Sequence, residues 1–247
     1  MKLNILCLYP NLMDLYGDLG NLKVLEYRAK KRNVNIEIDY YTIGDDKPEF
    51  NNYDLVFIGG GSEREQKLIV KDLIKYKKDI EKSIKNGVFY LLIAGGFQLF
   101  GKYYVDSIGN KVECLNVFEY YTEFVRDKKQ RAVGDIILEI KIFSNKVKVI
   151  GFENHAGQTY NVKYPFGKVL YGHGNIINGE YDGYWNNNVI GTYLGGSFLA
   201  KNPILSDYIL SYCLNRKYNE KIILKELDDS FEEIACNEII SKLLKSK

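Results

Sequence analysis

Leu91-Leu92-Ile93-Ala94-Gly95-Gly96-Phe97-Gln98-Leu99-Phe100 has the form of a corner that presents a nucleophile. The apolar run from Val88 to Ile93 reads as a buried strand, two glycines follow, and the next residues can start a helix. At such a corner the side chain is pushed clear of the sheet, and the backbone N–H groups after it face developing negative charge. The chemistry would be attack on an acyl carbon, which needs Ser or Cys at the corner. The corner residue is Ala94, whose methyl group can attack nothing.

Other residues bear on chemistry less directly. Gly59-Gly60-Gly61 follows a short apolar stretch and fits a phosphate loop, an oxyanion loop or a tight turn. It lacks the Gly-Lys-Ser/Thr of a P-loop and the full dinucleotide spacing. His155 and His173 are the only histidines, and neither has a metal-like partner three or four residues away; each reads as a structural histidine. Arg131, close to Lys128 and Lys129, reads by itself as part of a solvated basic turn. Cys7, Cys114, Cys213 and Cys236 fit neither a zinc pattern nor a disulfide framework and read as small hydrophobes.

The elements that must position these residues alternate. Strands fit Leu3 to Leu8, Asn35 to Ile43, Asp54 to Ile58 and Val88 to Ile93. Helices fit Leu22 to Arg32 and the stretch from Ser62 to Lys85, with Ser62 as N-cap and Glu65 as its capping-box partner. This order implies right-handed βαβ units and an open parallel sheet, with chemistry at the strands' carboxyl ends. Beyond Gly101, Asp106 to Tyr121 and Ile136 to Ile150 alternate with period two around Gly109-Asn110 and Ser144-Asn145, which predicts antiparallel hairpins. Short strands fit Lys168 to Tyr171 and Val189 to Leu194. A helix opens at Asn202-Pro203 and runs to Leu214. Lys221 to Leu244 carries apolar residues at largely helical spacing. The fold class is therefore α/β: a mainly parallel open sheet flanked by helices, with added hairpins and a C-terminal helix. One domain over 1–215 with a helical tail, 216–247, packed on it is expected.

Hydrophobic residues make up 46% of the 247-residue chain and charged residues 27%, the balance of an ordinary globular protein. A net charge of +2 with both signs interspersed gives no electrostatic case for nucleic acid. No apolar run approaches the length of a membrane span, and Met1 leads straight into a strand, so a cytoplasmic location is expected.

Five motifs in order carry a resemblance. They are Leu8-Tyr9-Pro10-Asn11-Leu12-Met13-Asp14-Leu15-Tyr16-Gly17-Asp18-Leu19-Gly20-Asn21, the segment from Gly59 to Gln66, the corner Ile93 to Gln98, the segment Gly151 to Thr159, and Gly191 to Pro203. Together they resemble the glutaminase subunit of lipid II isoglutaminyl synthase, the GatD type. That family is part of the class I glutamine amidotransferases of the cobyric acid synthase-like group, whose core is flavodoxin-like. The resemblance implies a subunit that hydrolyses glutamine without a cofactor and passes ammonia to a Mur-ligase-like, ATP-using partner. That partner amidates the D-glutamate of the lipid II stem peptide.

The resemblance also implies residue roles. A Cys at position 94 would form a thioester with the glutamine acyl group, and a His at position 195 would move the proton from thiol to ammonia. Backbone amides around Gly60 or Gly61 would hold the oxyanion, and Gln98 belongs to the same binding pocket. Arg131 matches the glutamine-binding arginine, whose guanidinium fork suits an α-carboxylate. Two departures fall on the two groups that chemistry cannot lose: Ala94 at the nucleophile position and Gly195 at the base position. Gly195-Gly196-Ser197 stands where the family has His-Gly-Pro, a pattern of natural drift rather than of one trapping substitution. The implied outcome is a subunit without glutaminase activity, with a non-catalytic scaffold or glutamine-sensing partner of a Mur-ligase-like protein as the alternative. A nucleotide or flavin binder on the same core is a weaker third reading.

Overall fold

A computed structural model describes the chain apart from Arg126, 128–130, Phe143 and 246–247; Lys128 and Lys129 of the basic turn thus lie outside the described residues. The first half alternates: β1 (Lys2–Leu8), α1 (Gly20–Lys30), β2 (Asn35–Tyr41), β3 (Leu55–Ile58), α2 (Glu63–Leu73), α3 (Lys77–Lys85), β4 (Phe89–Ile93) and α4 (Gly95–Leu99). The middle is mostly strand: β5 (Tyr103–Val105), β6 (Lys111–Glu113), β7 (Tyr121–Phe124), β8 (Ala132–Ile142), β9 (Asn145–His155), β10 (Gly157–Tyr160) and β11 (Gly167–Tyr171). Then come β12 (Tyr181–Asp182), β13 (Tyr184–Asn186), β14 (Val189–Thr192), α5 (Pro203–Tyr218) and α6 (Ser230–Lys245).

A six-stranded sheet, β13-β14-β4-β3-β1-β2, forms the centre and is parallel except for β13. Leu3, Ile5 and Cys7 of β1 point to a layer that includes Leu22 and Leu25 of α1 and Ile209 and Leu210 of α5. Leu6 and Leu8 point the other way, to Ile69 and Leu73 of α2 and Ile80 of α3. A strand buried on both faces needs no polar alternation, which is why β1, β3 and β4 read as continuous apolar runs. Two four-stranded sheets flank this core, in the orders β10-β7-β5-β6 and β12-β11-β8-β9.

The capping box at Ser62 forms as the sequence implies. The Ser62 N–H donates to the Glu65 carboxylate at 3.0 Å, and its hydroxyl donates to the same oxygen. The helical segment it opens is broken by a 3-10 turn at Ile74–Tyr76 into α2 and α3. The hairpin of β8 and β9 pairs from Ala132 opposite His155 to Ile142 opposite Asn145.

Two expectations need correction. The antiparallel hairpin expected around Gly109-Asn110 forms between β5 and β6, but it ends at Glu113 and does not run on to Tyr121 as the alternation implied. The N–H groups of Cys114 to Phe118 donate instead to carbonyls of Leu99 to Lys102, so they cap the end of α4 and cannot join a ladder. The tail is helical only from Ser230. Residues 221–229 are held outside any helix: Arg32 donates to the Lys225 carbonyl at 2.6 Å, and Arg28 grips Asp229. Ile240 buries against Ile137 and Ile150, whereas Phe231 is 83% exposed and Ile223 85%. Helical spacing alone did not decide what packs.

Candidate active site

β4 ends at Ile93, and Ala94 then adopts φ 45° and ψ −103°. An L-residue rarely occupies this region, and holding it there costs about 1–3 kcal/mol. Neighbouring backbone enforces it: the Ala94 N–H donates to Thr192 at 2.8 Å, its carbonyl accepts from Gln98 at 3.0 Å, and the Gly96 N–H donates to Gly59 at 3.1 Å. A Cβ on Gly96 would stand 2.7 Å from the Ile58 carbonyl, so only glycine lets the corner close. The corner geometry is present with a methyl group at its tip.

Gly195 is brought to the same place by β9. Its N–H donates to the Phe152 carbonyl at 2.9 Å in an isolated antiparallel bridge. A Cβ at this position would meet only the Phe152 oxygen, at 3.5 Å, which leaves open space for a side chain. Ala94, Gly195 and Gly196 line one cavity of about 140 Å³. Tyr16, Phe152, Asn154 and Tyr193 complete its wall. The two positions without chemical groups therefore share one space.

The glycine loop after β3 abuts the corner. A Cβ on Gly60 would lie 3.3 Å from the Ala94 methyl, and the Gly61 nitrogen is 3.2 Å from where a Cβ on Gly95 would stand. The Gly60 N–H is already engaged, donating to the Asp18 carboxylate at 2.7 Å. Among the described residues the N–H groups of Gly61 and Gly95 have no acceptor. Of the amides expected to hold an oxyanion, Gly61 and Gly95 are the available pair. Burial pushes the Asp18 carboxyl up to about 6, against the opposing pull of its hydrogen bonds from Gly60 and Gly196.

Arg131 is exposed and lies outside the cavity lining, joined to it through Asn154. Its Nε and one terminal nitrogen donate to Asn154 Oδ1 at 3.0 and 2.7 Å, and the Asn154 amide donates to the Tyr16 hydroxyl at 2.9 Å. Gln98 lies outside the cavity lining, where its side chain supports the wall. Its Nε2 donates to the Tyr193 hydroxyl at 3.0 Å, and its Oε1 accepts from Gln66 at 2.9 Å. Thr159 also reaches the Tyr193 hydroxyl, at 2.6 Å, and the His155 ring stacks on the Tyr193 ring at 3.7 Å. Burial lifts the Tyr193 phenol to about 12, so it remains neutral.

None of the described cysteines or histidines lines this cavity. Burial pushes the Cys7 and Cys114 thiols up to about 12, which disfavours the thiolate. His155 and His173 serve the packing behind it: His155 Nδ1 lies 2.7 Å from the Gly157 carbonyl, and the His173 N–H donates to Glu153. Sequence reasoning missed Tyr16, Asp18, Phe152, Asn154 and Tyr193 as individual participants, although all five lie inside the quoted motifs. Asp182, which accepts from the Thr192 hydroxyl at 2.5 Å, lies outside them and left no signal.

Residues 4–203 match the model of the CobB/CobQ-like glutamine amidotransferase domain. The chain belongs to this family. It is 38% identical over 240 residues to the GatD subunit of the glutamine-hydrolyzing lipid II isoglutaminyl synthase of Streptococcus pneumoniae, covering 96% of this chain and 89% of that one. The subunit of the same name from Staphylococcus aureus is 37% identical over 236 residues, covering 95% and 93%. Among solved structures, PurLQS from Thermotoga maritima superposes with a TM-score of 0.53 over 87% of this chain and 99% of that chain. At 13% identity that likeness concerns the fold alone. No helix among the described residues is long and apolar enough to cross a membrane.

Proposed function

We propose that this chain is the glutamine amidotransferase-type subunit of a complex that amidates lipid II, and that it does not itself hydrolyse glutamine. The observation that carries this reading is the cavity shared by Ala94 and Gly195. A thioester mechanism needs a sulfur at the first position and a proton carrier at the second. Loss of both removes several orders of magnitude in rate, and the remaining oxyanion amides do not compensate. Its partner would be a Mur-ligase-like, ATP-using protein, with ammonia coming from another source. Residues 1–215 would act as the glutamine amidotransferase-like domain and 216–247 as a tail on that same domain, in the cytoplasm.

A second reading, a non-catalytic scaffold or glutamine sensor, is favoured by Arg131. Its link through Asn154 to the cavity wall leaves a guanidinium where a glutamine α-carboxylate could dock. The test is co-purification with a neighbouring Mur-ligase-like protein, followed by a glutaminase assay and calorimetric titration with glutamine. The proposal expects a stable complex and no glutamate above background. Glutamine binding that Arg131→Ala abolishes would select the sensor; clear turnover by the unmodified chain would refute both.

A further inference from the structure

We propose that the cavity between Ala94 and Gly195 is a binding site for one imidazole molecule, a small planar heteroaromatic ring with one hydrogen-bond donor and one acceptor. This deepens the reading of Gly195 as the family's base position without its side chain, and it rests on that reading. The space is about 140 Å³, room for a five-membered ring and attendant water. Its wall is held by internal ties and resists collapse. Tyr193 is fixed by Gln98, Thr159 and its stack on His155, and Ala94 is fixed by Thr192 and Gln98. A preformed hole whose lining cannot relax inward is the kind that takes up a small ring from solution.

The polar atoms match the ligand. The Phe152 carbonyl lies 3.5 Å from the position of a Cβ on Gly195 and accepts the Gly195 N–H, and a carbonyl oxygen has a second lone pair that can take a ring N–H. The Tyr16 hydroxyl accepts from Asn154 and keeps its own O–H to donate to a ring nitrogen. The aromatic rings of Tyr16, Phe152 and Tyr193 supply flat apolar contact.

The unmodified chain is titrated with imidazole well above the pKa of the ring, and binding is followed by amide NMR. Saturable shifts are expected at Gly95, Tyr193 and Gly195 with a Kd of roughly 1–10 mM, the range open to so small a ligand. Nuclear Overhauser contacts between the ring protons and the Ala94 methyl should locate it without any variant. Gly195→Leu, which fills the space, should weaken binding at least tenfold with circular dichroism unchanged. Non-saturable shifts, contacts that bypass Ala94, or unaltered binding in a folded Gly195→Leu would overturn the proposal.

An Ala94→Cys chain separates this inference from the reading beneath it. There the thiol would attack the glutamine amide carbon while bound imidazole takes its proton and delivers it to departing ammonia. Water, deprotonated by the same ring, would then cleave the thioester to glutamate and regenerate the thiol. Imidazole should raise glutamate release tenfold or more over the same chain without it. Located binding without this rescue supports the imidazole site and counts against the assigned catalytic positions. Failure of binding in the unmodified chain sinks the site and leaves those assignments standing.

Discussion

Asp18 and Gly196, 178 positions apart in the chain, are joined by a 2.7 Å hydrogen bond from the Gly196 N–H to the buried carboxylate. The other carboxylate oxygen takes the Gly60 N–H at 2.7 Å. One side chain thus ties the turn before α1 to both loops that border the cavity. Asn21 reinforces the tie by donating to the Gly196 carbonyl and accepting from the Leu199 N–H. Asp18→Ala would leave the buried Gly60 N–H and the half-buried Gly196 N–H without an acceptor, at about 1–3 kcal/mol for the first and less for the second. Urea unfolding should show a loss of about 2–4 kcal/mol, and hydrogen exchange should show faster exchange at Gly60 and Gly196.

Stability should also fall as pH rises from about 4 to about 7. Burial raises Asp18 from 3.8 to about 6, and burial together with the charge of Glu153 raises Asp182 from 3.8 to about 7. A carboxyl whose folded pKa is raised favours the folded state below its ordinary pKa. That contribution is lost as pH climbs through the folded value. Thermal melts across this range should show Tm declining, and Asp182→Asn should flatten the upper part of the profile by on the order of 1 kcal/mol. A flat profile in the unmodified chain would contradict the environments assigned to both groups.

The tail depends on a second buried charge. Arg28, 4% exposed, makes paired hydrogen bonds with Asp207 of α5 at 2.7 and 2.8 Å and with Asp229 ahead of α6 at 2.5 and 2.9 Å. Arg32 adds a bond to Asp207 at 2.6 Å. Removing one partner of a buried ion pair strands the others, at about 3–5 kcal/mol. Arg28→Met should therefore destabilise by that order. Because Asp229 fixes the start of α6, limited proteolysis should cut first within 221–229. Arg28→Lys would not rescue it, since a point charge cannot grip two carboxylates in fork geometry.

The sheet was legible because its central strands are buried on both faces, and the corner because Gly95-Gly96 follows such a strand. Tyr16, Phe152 and Tyr193 were legible only as motif members. Their convergence depends on β9 running past Gly195, which no local pattern encodes. Cys114 to Phe118 were misread because their side chains alternate while their N–H groups answer to α4. An amide of Gly60 or Gly61 was expected to hold an oxyanion, and the partner that occupies the Gly60 N–H lies 42 positions earlier. Arg131 is the opposite case: a basic turn by composition, it gains meaning only from Asn154 across the hairpin.

Restoring both missing groups tests how much of the site survives around the cavity. Gly195 has no left-handed φ and has room for a Cβ, so Gly195→His should fold. Ala94→Cys adds one sulfur at a corner whose backbone already has the required shape. Each single variant should remain near background, because a thiol without its base and a base without its nucleophile complete no turnover. The double variant should release glutamate at least about a hundredfold above either single change, the span a positioned general base supplies. If it folds, binds glutamine and still shows no hydrolysis, the Gly61 and Gly95 amides do not form a working oxyanion site. That result would place the loss of function in the loop after β3 as well as at positions 94 and 195.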